Sequence, residues 1–106
     1  MTSVEIRRVE TNKKQYLALL LLADEQEDMI DRYLERGSMY VLEDDGVKAE
    51  CVVTDEGGGV LELKNIAVEP DFQGKGYGKA LVDFLIRTYA GQYMLSLIHI
   101  SEPTRR

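Results

Sequence analysis

Residues 66–79 read Ile-Ala-Val-Glu-Pro-Asp-Phe-Gln-Gly-Lys-Gly-Tyr-Gly-Lys, and the reading of this stretch decides the fold. An apolar strand ends at Val68, a short loop with Pro70 follows, and glycines alternate at Gly74, Gly76 and Gly78. Helical spacing begins at once: Leu81, Phe84, Leu85 and Thr88 share one face, with Tyr77 a turn earlier. A chain that turns from a strand into a helix aims free backbone N–H groups outward, and the helix dipole adds positive potential there. Glycines allow a ligand to approach that backbone closely. The local physics is that of a phosphate-binding turn, with a ligand-free glycine turn as the alternative.

Working outward, residues 4–9 alternate as a first strand, with Val4 and Ile6 against Glu5 and Arg7. Thr11 or Asn12 is placed to cap a helix through Tyr16, Leu19, Leu20 and Ala23. A second helix is predicted over 25–36 with Met29, Ile30, Tyr33 and Leu34 on one face, ended by Gly37. Strands follow over 39–43 and 47–54 around an Asp45-Gly46 turn, and Gly57-Gly58-Gly59 leads into a strand over 60–68. In that last strand, Leu61 and Leu63 have the opposite parity to Ile66 and Val68. A regular strand cannot bury both pairs on one face. Either both faces are buried, or a β-bulge near Lys64-Asn65 shifts the phase.

Length and composition bound the function. A chain of 106 residues with 44% hydrophobic and 30% charged residues is one globular domain with a modest core. A net charge of −6 argues against nucleic acid or an acidic membrane as partner. The apolar run 16–23 is too short to span a bilayer, and the single cysteine, Cys51, rules out an internal disulfide. We therefore expect a cytoplasmic protein with Cys51 as a buried structural thiol and no bound metal.

Three phosphate loops compete for the glycines. A dinucleotide fingerprint needs G-x-G-x-x-G after the first strand of a βαβ unit, and here the spacing is G-x-G-x-G after a strand meander. A P-loop needs a hydroxyl after Gly-Lys, and Ala80 stands there. Gln73-Gly74-Lys75-Gly76-Tyr77-Gly78 fits Q/R-x-x-G-x-G/A, and so resembles the acyl-CoA pyrophosphate loop of the GNAT superfamily of N-acetyltransferases. The resemblance covers about residues 4–94, through the order of strands and helices. It implies an α/β (α+β) fold, β-α-α-β-β-β-α-β, lacking that family's C-terminal helix and last two strands.

The resemblance further implies acetyl transfer from acetyl-CoA to a primary amine of a small molecule or protein. Gln73, Gly74, Lys75, Gly76, Tyr77, Gly78 and Lys79 would hold the CoA pyrophosphate, and the strand edge at Ile66, Ala67 and Val68 would pair with the pantetheine amides. Lys75 and Lys79 are equally readable as solvated lysines. Glu62, four residues before Ile66, matches the strand glutamate that serves as base in histone-acetylating relatives. Between Leu61 and Leu63 its pKa would rise if it faced the cleft; a solvated strand carboxylate is the alternative. Asn65 is a second candidate, for orienting substrate or a water. A homodimer is open for the parent protein. The alternative to an enzyme is a non-catalytic fragment that binds CoA or a protein partner.

Residues 95–105, Leu-Ser-Leu-Ile-His-Ile-Ser-Glu-Pro-Thr-Arg, resemble the conceptual translation of a transposase-based sequencing adapter, and Arg106 is read with them. The alternative is a native apolar strand with a polar tail. On the adapter reading, residues 1–94 are part of an acetyltransferase domain and 95–106 are non-native. His99, the only histidine, then has no catalytic role. A strand-like segment over 93–100 takes the place of the next family strand. Such a fragment would bind CoA weakly or not at all and have little activity.

Overall fold

The computed structural model describes residues 4–91 and 94–96. Five strands form one sheet in sequence order: β1 (Glu5–Val9), β2 (Ser38–Glu43), β3 (Val47–Gly57), β4 (Val60–Val68) and β5 (Met94–Ser96). The first four pair antiparallel, and β5 runs parallel to β4. Two short helices, α1 (Leu17–Ala23) and α2 (Glu27–Leu34), separate β1 from β2, and α3 (Tyr77–Thr88) links β4 to β5.

Both faces of the sheet are covered, which is why Met39-Tyr40-Val41-Leu42 in β2 is apolar throughout. On one face Met39, Val41 and Val52 pack with Leu20 of α1 and with Ile30, Tyr33 and Leu34 of α2. On the other, Tyr40, Leu42, Cys51, Val53 and Leu63 pack with Leu81 and Leu85 of α3. Cys51 is fully buried, and burial pushes its thiol well above the ordinary range, so it behaves as a small core residue.

The phase break in β4 is a bulge. Val52 faces Asn65 and Val53 faces Leu63, which leaves Lys64 as the extra residue. Leu63, Ile66 and Val68 therefore all pack on the α3 side. Burial of both faces is also present, so the two readings were not exclusive.

Local details depart from the sequence expectations in four places. Asn12 adopts a left-handed conformation (φ 52°) and makes no side-chain cap; a 3-10 turn, Lys13–Tyr16, precedes α1. The second helix is four residues shorter than its predicted span, because Gln26 is extended and Glu35 already lies in a turn. The β2–β3 turn spans three residues, 44–46, with an offset that leaves Lys48 as the extra residue of β3. Gly37 is required by space: a Cβ there would lie 2.9 Å from Tyr33 O, Val52 Cγ1 and Val53 O.

The C-terminal end of α2 is capped from an unexpected place. Buried Lys13 donates from Nζ to the carbonyls of Leu34 (2.9 Å), Glu35 (3.3 Å) and Gly37 (2.8 Å). A helix leaves its last carbonyls without partners, and a cation at that end is favoured by the dipole. The stem of Lys13 thus locks the start of the helical pair to its end.

Glu50, on the helix-pair side of β3 opposite Ala67, is fully buried, and neither carboxylate oxygen bonds to any described residue. Burial pushes its carboxyl well above the ordinary carboxylate range. With the folded pKa raised above the unfolded one, the associated stability is present below the unfolded value, about 4.3, and is lost as pH rises through the folded value.

Two outcomes test these packing arguments. Gly37→Ala should lower stability by about 1–3 kcal/mol in urea denaturation, because two of the three atoms it meets are backbone and cannot yield. An unchanged midpoint would rule the crowding out. Relative to wild type, Glu50→Gln should gain stability in urea as pH rises above about 4.3 and be the more stable protein at pH 8. Parallel profiles for the two proteins would show that Glu50 ionises as an ordinary carboxylate.

Candidate active site

The glycine loop sits where β4 hands over to α3. A 3-10 turn, Pro70–Phe72, closed by Phe72 N–H to Glu69 O (2.8 Å), carries the chain out of the sheet. Gln73 then donates from Nε2 to Val68 O at 3.2 Å, which fastens the loop to the strand end. Gly74 (φ 82°) and Gly76 (φ 89°) lie in the left-handed region, where side chains are strained. A Cβ at either would meet nothing within 4 Å, so the loop's outer side is open.

Gly76 is the N-cap of α3 and offers no side chain, and the first turn has no acidic residue. The amides of Tyr77, Gly78 and Lys79 therefore open the helix without a capping side chain, next to the positive end of a 12-residue dipole. Ala80 N–H makes the first intrahelical bond, to Gly76 O at 2.9 Å. Two of the side chains around the loop are engaged elsewhere. Tyr77 donates its hydroxyl to Asp44 Oδ2 (2.5 Å), Lys79 pairs with Asp83 one turn on (2.9 Å), and Lys75 is exposed. What the loop presents is thus backbone.

Beside it, the edge of β4 is unpaired among the described residues. Pairing with β5 runs from Val60–Met94 to Glu62–Ser96, and among the described residues it goes no further. Beyond the bulge, among the described residues, Ile66, Ala67 and Val68 pair only with β3, and their other edge carries no strand.

The bulge also sorts the polar residues of β4. Glu62, Lys64 and Asn65 all fall on the side of α1 and α2. Glu62 is nearly buried and pairs with Lys64 Nζ at 2.5 Å. Its flanking leucines, taken from the sequence as an apolar setting, lie on the far face, and the carboxylate meets a cation instead. Asn65 is fully buried, donating from Nδ2 to Leu20 O (3.1 Å) and Tyr33 Oη (3.0 Å), while its Oδ1 has no partner among the described residues. Tyr33 in turn donates to Asp24 Oδ2 at 3.2 Å. Burial raises the Tyr33 phenol to about 12, so it stays protonated and keeps this donor role.

Next to this chain of polar groups is a cavity of about 400 Å³, lined by Asp24, Met29, Arg32, Tyr33, Arg36 and Lys64. No residue of the glycine loop lines it; the four steps of strand from Lys64 to Val68, about 13 Å, lie between the two. The sequence reading missed Tyr33, taken as a plain core position, and Glu50, hidden in an apolar strand. Only the parity break in β4 hinted at such a polar layer. His99 and most of segment 93–100 lie outside the described residues; Leu95, in β5, packs on the α3-side core. Among the described residues no group of three or more His, Cys, Asp or Glu side chains is placed to hold a metal ion, and no helix is long and apolar enough to cross a membrane.

Known proteins share this arrangement. A model of the acetyltransferase (GNAT) domain matches residues 35–105. An uncharacterized N-acetyltransferase of Bacillus subtilis, YvbK, is 43% identical over 74 residues, which are 69% of this chain and 47% of that protein. Among solved structures, an IAA acetyltransferase from Bacillus cereus is 39% identical with a TM-score of 0.75, covering 84% of this chain and 59% of that one. A GNAT family acetyltransferase from Elizabethkingia anophelis, solved with acetyl-CoA bound, is 29% identical with a TM-score of 0.80, covering 87% and 62%. The chain thus spans about half the length of the curated relative it matches. With two thirds of its residues inside the domain model and the bulged strand, glycine loop and helix in place, the chain belongs to the GNAT acetyltransferase family.

Proposed function

We propose that this chain carries the CoA-binding half of an N-acetyltransferase that moves an acetyl group from acetyl-CoA to a primary amine of a small molecule or protein. The observation that carries the reading is the uncapped amide turn at Gly76–Gly78, set at the end of a bulged strand whose outer edge beyond the bulge is unpaired among the described residues. Amides of residues 73–79 hold the pyrophosphate, and the edge at Ile66, Ala67 and Val68 bonds the pantetheine amides as an added strand would. Lys75, exposed in the loop, adds charge at the rim, while Lys79 is held by Asp83.

In the transfer itself, a neutral amine attacks the thioester carbonyl, the C–N bond forms, and the C–S bond breaks as the sulfur leaves and takes up a proton. We assign the amine's proton to Glu62, which is paired with Lys64, and the orientation of the acceptor side to Asn65. No metal takes part in this scheme. The compartment on this reading is the cytoplasm.

Residues 1–94 are the acetyltransferase portion and 95–106 a non-native tail in this proposal. Because the chain covers 47% of its curated relative, a second reading has support: a fragment that binds CoA weakly and turns over little or not at all. Acetyl-CoA turnover with an amine panel, compared with Gly76→Asp, separates the two, since an active chain must exceed that control.

Gly78 gives a sharper test of the loop. Its added Cβ would meet only Val68 Cγ2, at an ordinary 3.7 Å, so the fold itself does not demand glycine there. Gly78→Ala should raise stability by about 0.4–1 kcal/mol and leave CoA binding in place. Gly78→Asp should fold, since a carboxylate suits a helix N-terminus, yet lose CoA binding in calorimetry because it occupies the anion's place. Unchanged CoA affinity in Gly78→Asp would remove the loop from the site.

A further inference from the structure

The cavity under α2 has a charge pattern that acetyl transfer alone does not call for. Three of its six lining residues, Arg32, Arg36 and Lys64, are cations, in a chain whose net charge is −6. Arg32 lies in the last turn of α2 and Arg36 in the turn that follows, four positions on, so both project to one side. Arg32 makes no hydrogen bond or ion pair with any described residue. Arg36 reaches Glu56 only at 3.4 Å, with half its side chain exposed, a pair of little strength. Lys64 joins them because it is the extra residue of the bulge, and Glu62 balances it. The cavity also has one acid, Asp24, held by the Tyr33 hydroxyl at 3.2 Å.

We propose that this cavity binds a small acceptor carrying an anionic group beside its amine, the anion held by Arg32 and Arg36 and the ammonium by Asp24. Paired guanidinium groups favour a carboxylate or phosphate through parallel N–H donors. A volume of about 400 Å³ suits a molecule of amino-acid size. Naming this cavity the acceptor site rests on the acetyl-transfer reading, but its selectivity for anions does not.

The test is binding to the full chain, without cosubstrate, read by calorimetry and by shifts of backbone amide resonances in 29–36 and at Lys64. The probes are L-phenylalanine against L-phenylalaninamide, and O-phosphoethanolamine against ethanolamine. The anionic member of at least one pair should bind on the order of ten-fold more tightly, from the strength of charge-assisted bonds. Arg32→Gln should remove that preference, and Arg32→Lys should keep part of it. Whichever anionic probe binds identifies carboxylate or phosphate as the group read. Equal affinity within both pairs, binding of no probe, or an unchanged preference in Arg32→Gln overturns the proposal. CoA calorimetry on the same sample keeps the two readings apart: lost CoA binding with intact anion preference counts against acetyl transfer only.

Discussion

One extra residue in β4 organises the molecule. With Val52 opposite Asn65 and Val53 opposite Leu63, Lys64 is unmatched, and the strand changes phase at that point. Before it, Leu61 and Leu63 point away from the helical pair; after it, Ile66 and Val68 do so too. A regular strand would have turned either set into the wrong layer. The same offset places Glu62, Lys64 and Asn65 together on the α1–α2 side and lies just beyond the last described pairing with β5. A single backbone irregularity thus maintains one core and builds a polar layer on the other face.

The polar layer is costly to bury, and its connections show how the cost is offset. Asn65 spends both amide hydrogens on Leu20 O and Tyr33 Oη, and Tyr33 passes its own hydrogen to Asp24. These bonds tie β4 to α1 and α2, which are too short to be stable alone. Lys13 does the same at the other end of the helical pair, feeding three carbonyls with one ammonium. Against this pattern Glu50 stands out, since burial with no partner among the described residues favours its protonated form. The helical pair is therefore held less by its apolar stripe than by side chains that reach across from neighbouring elements.

Much of the fold was legible because it rests on local rules. Alternation marked the strands, the 3.6-residue spacing marked α3, and the parity break between Leu63 and Ile66 announced the bulge. The failures were also local in origin. Asn12 looked like a cap, but a left-handed backbone turned it away, and Gly37 looked like a helix stop when its real constraint is contact with Val52, Val53 and Tyr33. Contacts between residues 15 to 50 positions apart have no signature in spacing or composition.

The same division applies to the candidate site. Residue order alone set the amide turn at Gly76–Gly78 and the polarity of the helix it opens, because glycine spacing after a strand fixes backbone geometry over a few residues. Only the tertiary structure decided that Glu62 meets Lys64, that Asn65 is anchored to Tyr33, and that Arg32, Arg36 and Asp24 surround one cavity with Lys64. Those residues come from α2, from the ends of α1 and α2 and from β4, and packing of a helical pair on a bulged sheet is what brings their charges within reach of one another.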